Sequence, residues 1–236
     1  MTPENPVRRA SDIPANIRRV NDQIEGACSR AGRSFADVTL VAVSKTFPAS
    51  AIDIAIEAGV TNIGENRVQE FKDKISAIHG RARWHMIGHL QSNKARDACR
   101  LFHVVQSVDS IDVAQRLSRE TVINGLTIDV MIQVNIGLEE QKSGFAPDAV
   151  ADAQAEMKLM AGLKVVGLMT IQPQGDELEA RQYFARMKKL FDASAATAAD
   201  GGFVHLSMGM SADFEAAIEE GSTMIRVGRG IFGTRV

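Results

Sequence analysis

Two cysteines in 236 residues, Cys28 and Cys99, are too few and too far apart for a disulfide framework, and neither belongs to a CxxC pair that could hold a metal or run redox chemistry. A reducing cytosol is the expected setting, and a cytoplasmic protein is expected. Net charge is almost absent: 27 Lys and Arg against 29 Asp and Glu leave -2, which gives no bulk attraction to nucleic acid or to an anionic membrane. Long apolar runs are missing too. No window approaches the ~18 apolar residues of a membrane span, and the opening Met-Thr-Pro-Glu-Asn-Pro lacks the apolar stretch of a signal peptide. The pairs Arg8-Arg9 and Arg18-Arg19 read as the solvated face of an amphipathic first helix that also carries Asp12, Asp22 and Glu25. No Pro/Gly/Ser-rich linker or low-complexity segment divides the chain, so residues 1–236 read as one domain.

What is present is a repeated alternation. Apolar runs bounded by turn signals predict strands at 38–43, 61–64, 83–88, 102–106, 127–134, 163–169, 203–207 and 223–227. Between them lie helical patterns such as Ile111, Ala114 and Leu117, or Phe184, Met187 and Phe191. Strict β then α alternation implies parallel strands with right-handed crossovers, and eight such units suit a (β/α)8 barrel, typically of roughly 250 residues. The stretch 14–31 would be an extra helix before the first strand. An open doubly wound sheet is the other arrangement that the alternation allows.

Lys45 closes the first of these runs, Val38-Thr39-Leu40-Val41-Ala42-Val43. With a side-chain period of two it faces the same way as Val41 and Val43, at the carboxyl end of a buried strand, where α/β folds place their ligands. Partial burial there can depress an amine's pKa enough to make it a nucleophile towards an aldehyde, although a strand-end lysine can also simply snorkel into water. The seventh run, Phe203 to Ser207, leads into Met208-Gly209-Met210-Ser211 and a helical stretch from Ala212. Ser211 reads as its N-cap, with backbone amides that could bind a phosphate. On the eighth run Met224 and Arg226 face the interior, and a buried arginine requires an acceptor. Amine, phosphate cradle and arginine converge on one mouth. A phosphorylated aldehyde carrying a ring nitrogen would satisfy all three.

Three further patterns are read blandly. Gly228-Arg229-Gly230-Ile231-Phe232-Gly233 matches GxGxxG, but no helix, second strand or acidic residue follows at the spacing a dinucleotide needs. His85 and His89 have HxxxH spacing without an adjacent glutamate, and are expected to be ordinary or pocket-lining histidines and not a zinc site. Gly64-Glu65-Asn66 is explained by helix capping, with Asn66 able to support a pocket.

Ordered blocks across residues 42–233 carry a resemblance: Ala42-Val43-Ser44-Lys45, Gly64-Glu65-Asn66 with Val68-Gln69-Glu70, Trp84-His85 with Ile87-Gly88-His89-Leu90-Gln91, Lys142-Ser143-Gly144, Gly167-Leu168-Met169-Thr170, Leu206 to Ser211 with Asp213, and Arg226-Val227-Gly228. With them the chain resembles the pyridoxal phosphate homeostasis protein family. The resemblance implies a single barrel similar to the N-terminal domain of alanine racemase. It also implies pyridoxal 5'-phosphate (PLP) bound as an internal aldimine on Lys45, its phosphate held by Ser207 and by the amides of Gly228 and Arg229, and Arg226 against the pyridine nitrogen.

Arginine stays charged and cannot protonate that nitrogen as a carboxylate partner would, so the cofactor remains a weak electron sink. A racemase also needs a second proton carrier, and the only tyrosine, Tyr183, falls in a predicted helix. The expectation is therefore a monomeric carrier that buffers PLP and supplies it to apoenzymes without turnover of its own. A racemase-like enzyme, with His85 or His89 as the second base, and a cofactor-free Schiff-base aldolase are the alternatives.

Overall fold

Short, largely buried runs alternating with amphipathic stretches build eight strands: β1 Thr39–Val43, β2 Asn62–Glu65, β3 Arg83–Met86, β4 Val104–Val108, β5 Ile128–Val134, β6 Leu163–Thr170, β7 His205–Met210 and β8 Met224–Val227. The computed structural model describes residues 12–173, 175–198 and 201–233. Arg8 and Arg9 lie outside the described residues. Each strand pairs in parallel with the next, and β1 pairs with β8 through Thr39↔Met224 and Val41↔Arg226, so the sheet closes into a barrel. That closing ladder excludes the open doubly wound sheet.

The helices are α1 Ile13–Arg30, α2 Ala49–Glu57, α3 Val68–Lys74, α4 Ala95–Leu101, α5 Ile111–Asn124, α6 Val150–Lys158, α7 Glu177–Ala196, α8 Phe214–Glu219 and α9 Arg229–Phe232. The extra helix before the first strand is α1. It buries Ile13, Ile17, Val20, Ile24 and Ala27 on one stripe against α8 and α9, and leaves Arg18, Arg19, Asp22 and Glu25 in solvent. Burying such aliphatic side chains contributes about 1.5–3 kcal/mol each, so the stripe holds the helix on the barrel. Cys28 on α1 and Cys99 on α4 are unpaired and buried, and burial pushes the Cys99 thiol up to about 12. Neither is a reactive thiol.

Two expectations at the strand ends change. The β7 strand runs on to Met210, past the Met208-Gly209-Met210 stretch that read as a turn, because Gly209 takes φ 91° and the pairing with β8 shifts register between Ser207 and Met210. The N-cap of α8 is accordingly Asp213, not Ser211, and Asp213 Oδ1 accepts from the Met210 amide at 2.6 Å. Glu65 does not cap α3 either, since it ends β2, fully buried, in an ion pair with Lys74.

Candidate functional site

Side chains alternate across each strand, so the barrel interior takes Val41, Val104, Met131, Met169 and Met224, and with them a column of polar groups. Barrel interiors are usually filled by branched aliphatic residues, which makes the polar column the informative departure. It starts at Asn62, whose Oδ1 lies 3.0 Å from His85 Nε2. His85 Nδ1 lies 3.0 Å from Gln106 Nε2, and the hydroxyl of Ser207 donates to Gln106 Oε1 at 2.7 Å. Arg226 donates to the Ser207 oxygen at 2.5 Å and to the Thr170 carbonyl at 2.7 Å. An amide nitrogen can only donate, so His85 Nδ1 accepts, its Nε2 carries the proton, and the imidazole is neutral. Burial, helped by the charges of Arg83, His205 and His103, pushes His85 down to about 3.

Above the column a cavity of about 550 Å³ opens at the carboxyl ends of the strands. Lys45, Asn66, Arg226, Gly228 and Arg229 all line it. Ser207 does not. It sits below, fully buried, with its proton committed to Gln106 and its oxygen to Arg226. Ser143 and Ser211 bring hydroxyls to the cavity, and Ser211 Oγ accepts from the amides of Gly228 at 3.2 Å and Gly230 at 3.4 Å. Two N–H groups thus converge on one oxygen, which is the donor arrangement of an anion cradle. Nothing in the local spacing distinguishes Ser207 from Ser211. The bend at Gly209 decides which of them reaches the mouth.

Arg226 brings its charge to the cavity floor. Burial lowers its guanidinium to about 10, with Asp213 acting the other way, so it stays charged at neutral pH. Its acceptors among the described residues are neutral, so the carboxylate partner that a buried arginine might have found is absent from its direct contacts. Burial raises Asp213, which accepts instead from Met210 and from Gln172. Lys142 also lines the cavity and donates to the Gln172 carbonyl at 3.1 Å. Among the described residues, Lys45, Lys142, Arg226 and Arg229 face the cavity against one carboxyl, Asp213, which favours an anionic ligand.

The two histidines part company. His85 lies in the interior column and does not line the cavity, which removes it as a second base. His89 lines the mouth, 60% exposed, with Nδ1 2.7 Å from Asp109. Gly88 between them lets β3 close on the residue after β2: a Cβ there would stand 2.3 Å from the Asn66 carbonyl oxygen. Tyr183 lies on α7 beneath Arg186 and is not among the cavity-lining residues.

Residues 16–236 match the family described as alanine racemase, N-terminal domain. A pyridoxal phosphate homeostasis protein of Aquifex aeolicus is 38% identical over 221 residues, which cover 93% of this chain and 96% of the relative. The chain belongs to the pyridoxal phosphate homeostasis protein family. The family member of Escherichia coli K12 is 40% identical over 232 residues, covering 95% of this chain and 97% of that protein. Among solved structures, PipY of Synechococcus elongatus with PLP bound superposes with a TM-score of 0.78 at 34% identity, over 89% of this chain and all of that one.

Proposed function

We propose that this chain binds PLP and takes part in its homeostasis, as a cofactor carrier and buffer that supplies apoenzymes in the cytosol. One observation carries the reading: Lys45, Ser211, the Gly228 that donates its amide to Ser211, and Arg226 line one cavity. The names of the relatives and the PLP-bound PipY structure support it. PLP supplies an aldehyde that condenses with a primary amine, with loss of water. Lys45 Nζ is the amine. Ser211, with the Gly228 and Gly230 amides, holds the phosphate, and Arg229 adds positive charge at its edge. Arg226 donates to the pyridine nitrogen, while Ser207 holds Arg226 from below, a different role from the phosphate contact that the resemblance implied. Asn66, which lines the same cavity, would stand beside the cofactor.

Arg226→Gln should weaken retention of PLP by roughly ten- to a hundredfold, since a charged hydrogen bond is worth about 1.5–3 kcal/mol and glutamine brings no charge. The dissociation constant measured by titration checks this, with circular dichroism confirming the fold. An unchanged constant would remove Arg226 from the cofactor contacts.

The carrier reading is tested by mixing PLP-loaded protein with a PLP-free aminotransferase and following the regain of aminotransferase activity against an equal amount of free PLP. A carrier transfers its cofactor. A protein that keeps its PLP while free PLP reactivates the aminotransferase fails the test. A second reading, a racemase-like enzyme, draws on the His89–Asp109 pair at the mouth, which could serve as a base held in one tautomer. Incubation with L-alanine in heavy water separates the two. Exchange of the α-proton without inversion, or no exchange, fits the carrier, because the loss of one positioned base removes about 10²- to 10⁴-fold in rate. Accumulation of the D-isomer over many turnovers would establish the enzyme.

A further inference from the structure

Lys45 sits in a turn that the protein holds from behind. Ser44 to Phe47 form a β-turn closed by the Phe47 amide on the Ser44 carbonyl at 3.0 Å, and Thr46 at its third position has φ 68°. Glycine or asparagine ordinarily occupies such a position, and a β-branched residue is strained there. Strain of this kind persists where surrounding contacts over-determine it. Those contacts come from α3. The Thr46 amide donates to Glu70 Oε1 at 2.5 Å. Lys74 Nζ donates to the carbonyls of Ser44 at 3.2 Å and Phe47 at 3.3 Å, and to Glu70 at 3.1 Å. One ammonium therefore grips both carbonyls that bracket Lys45, and one carboxylate catches the N–H between them.

The grip is anchored in the barrel wall. Ser44 and Glu65 point away from the cavity, as the alternation of side chains along β1 and β2 requires. Glu65 Oε1 pairs with Lys74 at 2.6 Å and accepts from the Ser44 hydroxyl at 2.5 Å. The Glu65 side chain is 0% exposed and that of Lys74 is 12% exposed, so water does not compete for these contacts. Burial raises the Glu65 carboxyl and Lys74 opposes that shift. Nothing in this cluster touches the cavity, since neither Glu65, Glu70 nor Lys74 lines it.

We propose that Glu70 and Lys74 are positioning residues for Lys45: they fix the strained Ser44–Phe47 turn so that the amine enters the cavity in one orientation. The proposal rests on the reading of Lys45 as the point of PLP attachment. Attachment depends on how often the amine meets the aldehyde in a reactive geometry, so a loosened turn should slow bond formation while leaving the phosphate cradle and Arg226 intact.

The experiment compares wild type with Glu70→Ala, Glu70→Gln and the double variant Thr46→Gly/Glu70→Ala. Three quantities are read: amide hydrogen exchange of a peptide spanning the turn in PLP-free protein, the rate at which the visible PLP band appears, and the affinity for phosphorylated pyridoxine. This last probe has an alcohol where PLP has the aldehyde and cannot bond to the lysine. Glu70→Ala should speed exchange in the turn and slow band formation by about tenfold each, the scale of one charged hydrogen bond, with the analogue binding as before. Glu70→Gln keeps an oxygen acceptor and should recover most of the rate. Thr46→Gly should also restore it, because glycine takes the positive φ without help. Equal loss for PLP and the analogue would reduce Glu70 to general support of the fold, and unchanged exchange and rate would remove the clamp altogether. A wild-type protein that forms no band would instead overturn the reading of Lys45 itself.

Discussion

A Lys45→Ala protein mixed with PLP should show no visible band, and borohydride should fix no cofactor to it. Lys45 is the cavity amine that follows the end of β1, with Lys142 the other on the lining, and alanine at position 45 leaves no nitrogen there to meet the aldehyde. The amides on Ser211 and the Arg226 guanidinium remain, so reversible, phosphate-dependent binding should survive without the bond. The decisive measurement is peptide mapping of the reduced wild-type protein. Lys142 is the competing amine, because it lines the same cavity. Label on Lys142 in wild type, or an undiminished band in Lys45→Ala, would defeat the assignment.

Acid should destabilise the fold through His85. Its folded pKa is depressed to about 3, whereas an unfolded histidine titrates near ~6.5. Above about pH 6.5 both states are neutral and the group contributes no pH dependence. As pH falls below that, the unfolded chain takes up a proton that the native imidazole refuses, because Gln106 already donates to its Nδ1. Stability should drop by roughly 1.4 kcal/mol per pH unit, up to about 5 kcal/mol near pH 3. Burial also lowers His103 and His205, which act in the same sense, while the raised Glu65 and Asp213 act in the opposite one. The His85 part is isolated by denaturant titrations of wild type and His85→Asn from pH 7 to pH 4. The stability gap between them should narrow as pH falls. A constant gap would mean that His85 is protonated in the native state.

The barrel was legible because its strands are buried on both faces and its helices on one, which gives two unmistakable periods in alternation. Lys45 and Arg226 were legible for a related reason: a charge at an inward position of an apolar strand has few bland explanations. Ser207 and Ser211 were harder to tell apart. The stretch Met208-Gly209-Met210 read as a turn because of its glycine, whereas the positive φ of Gly209 lets the strand bend and continue, carrying Ser211 to the mouth. Gln106 could have been found, since it alternates with Val104 on a strand with no exposed face. The Glu65–Lys74 pair could not, because α3 has to dock on β2 before the two charges meet.

The ladder between β1 and β8 also sets a timetable. Lys45 sits in the turn just after the first strand, and Arg226, Gly228 and Gly230 lie on or just beyond the last, so the amine and its proposed cradle come together only when Val41 meets Arg226. On the proposed reading, a chain emerging from the ribosome presents Lys45 long before residues 211–230 are made, and until they follow it has no partner for the phosphate. Cofactor capture is then a report that the ring has shut, and bound PLP would act as a latch across the seam, resisting the local opening that unzips a barrel at its first and last strands.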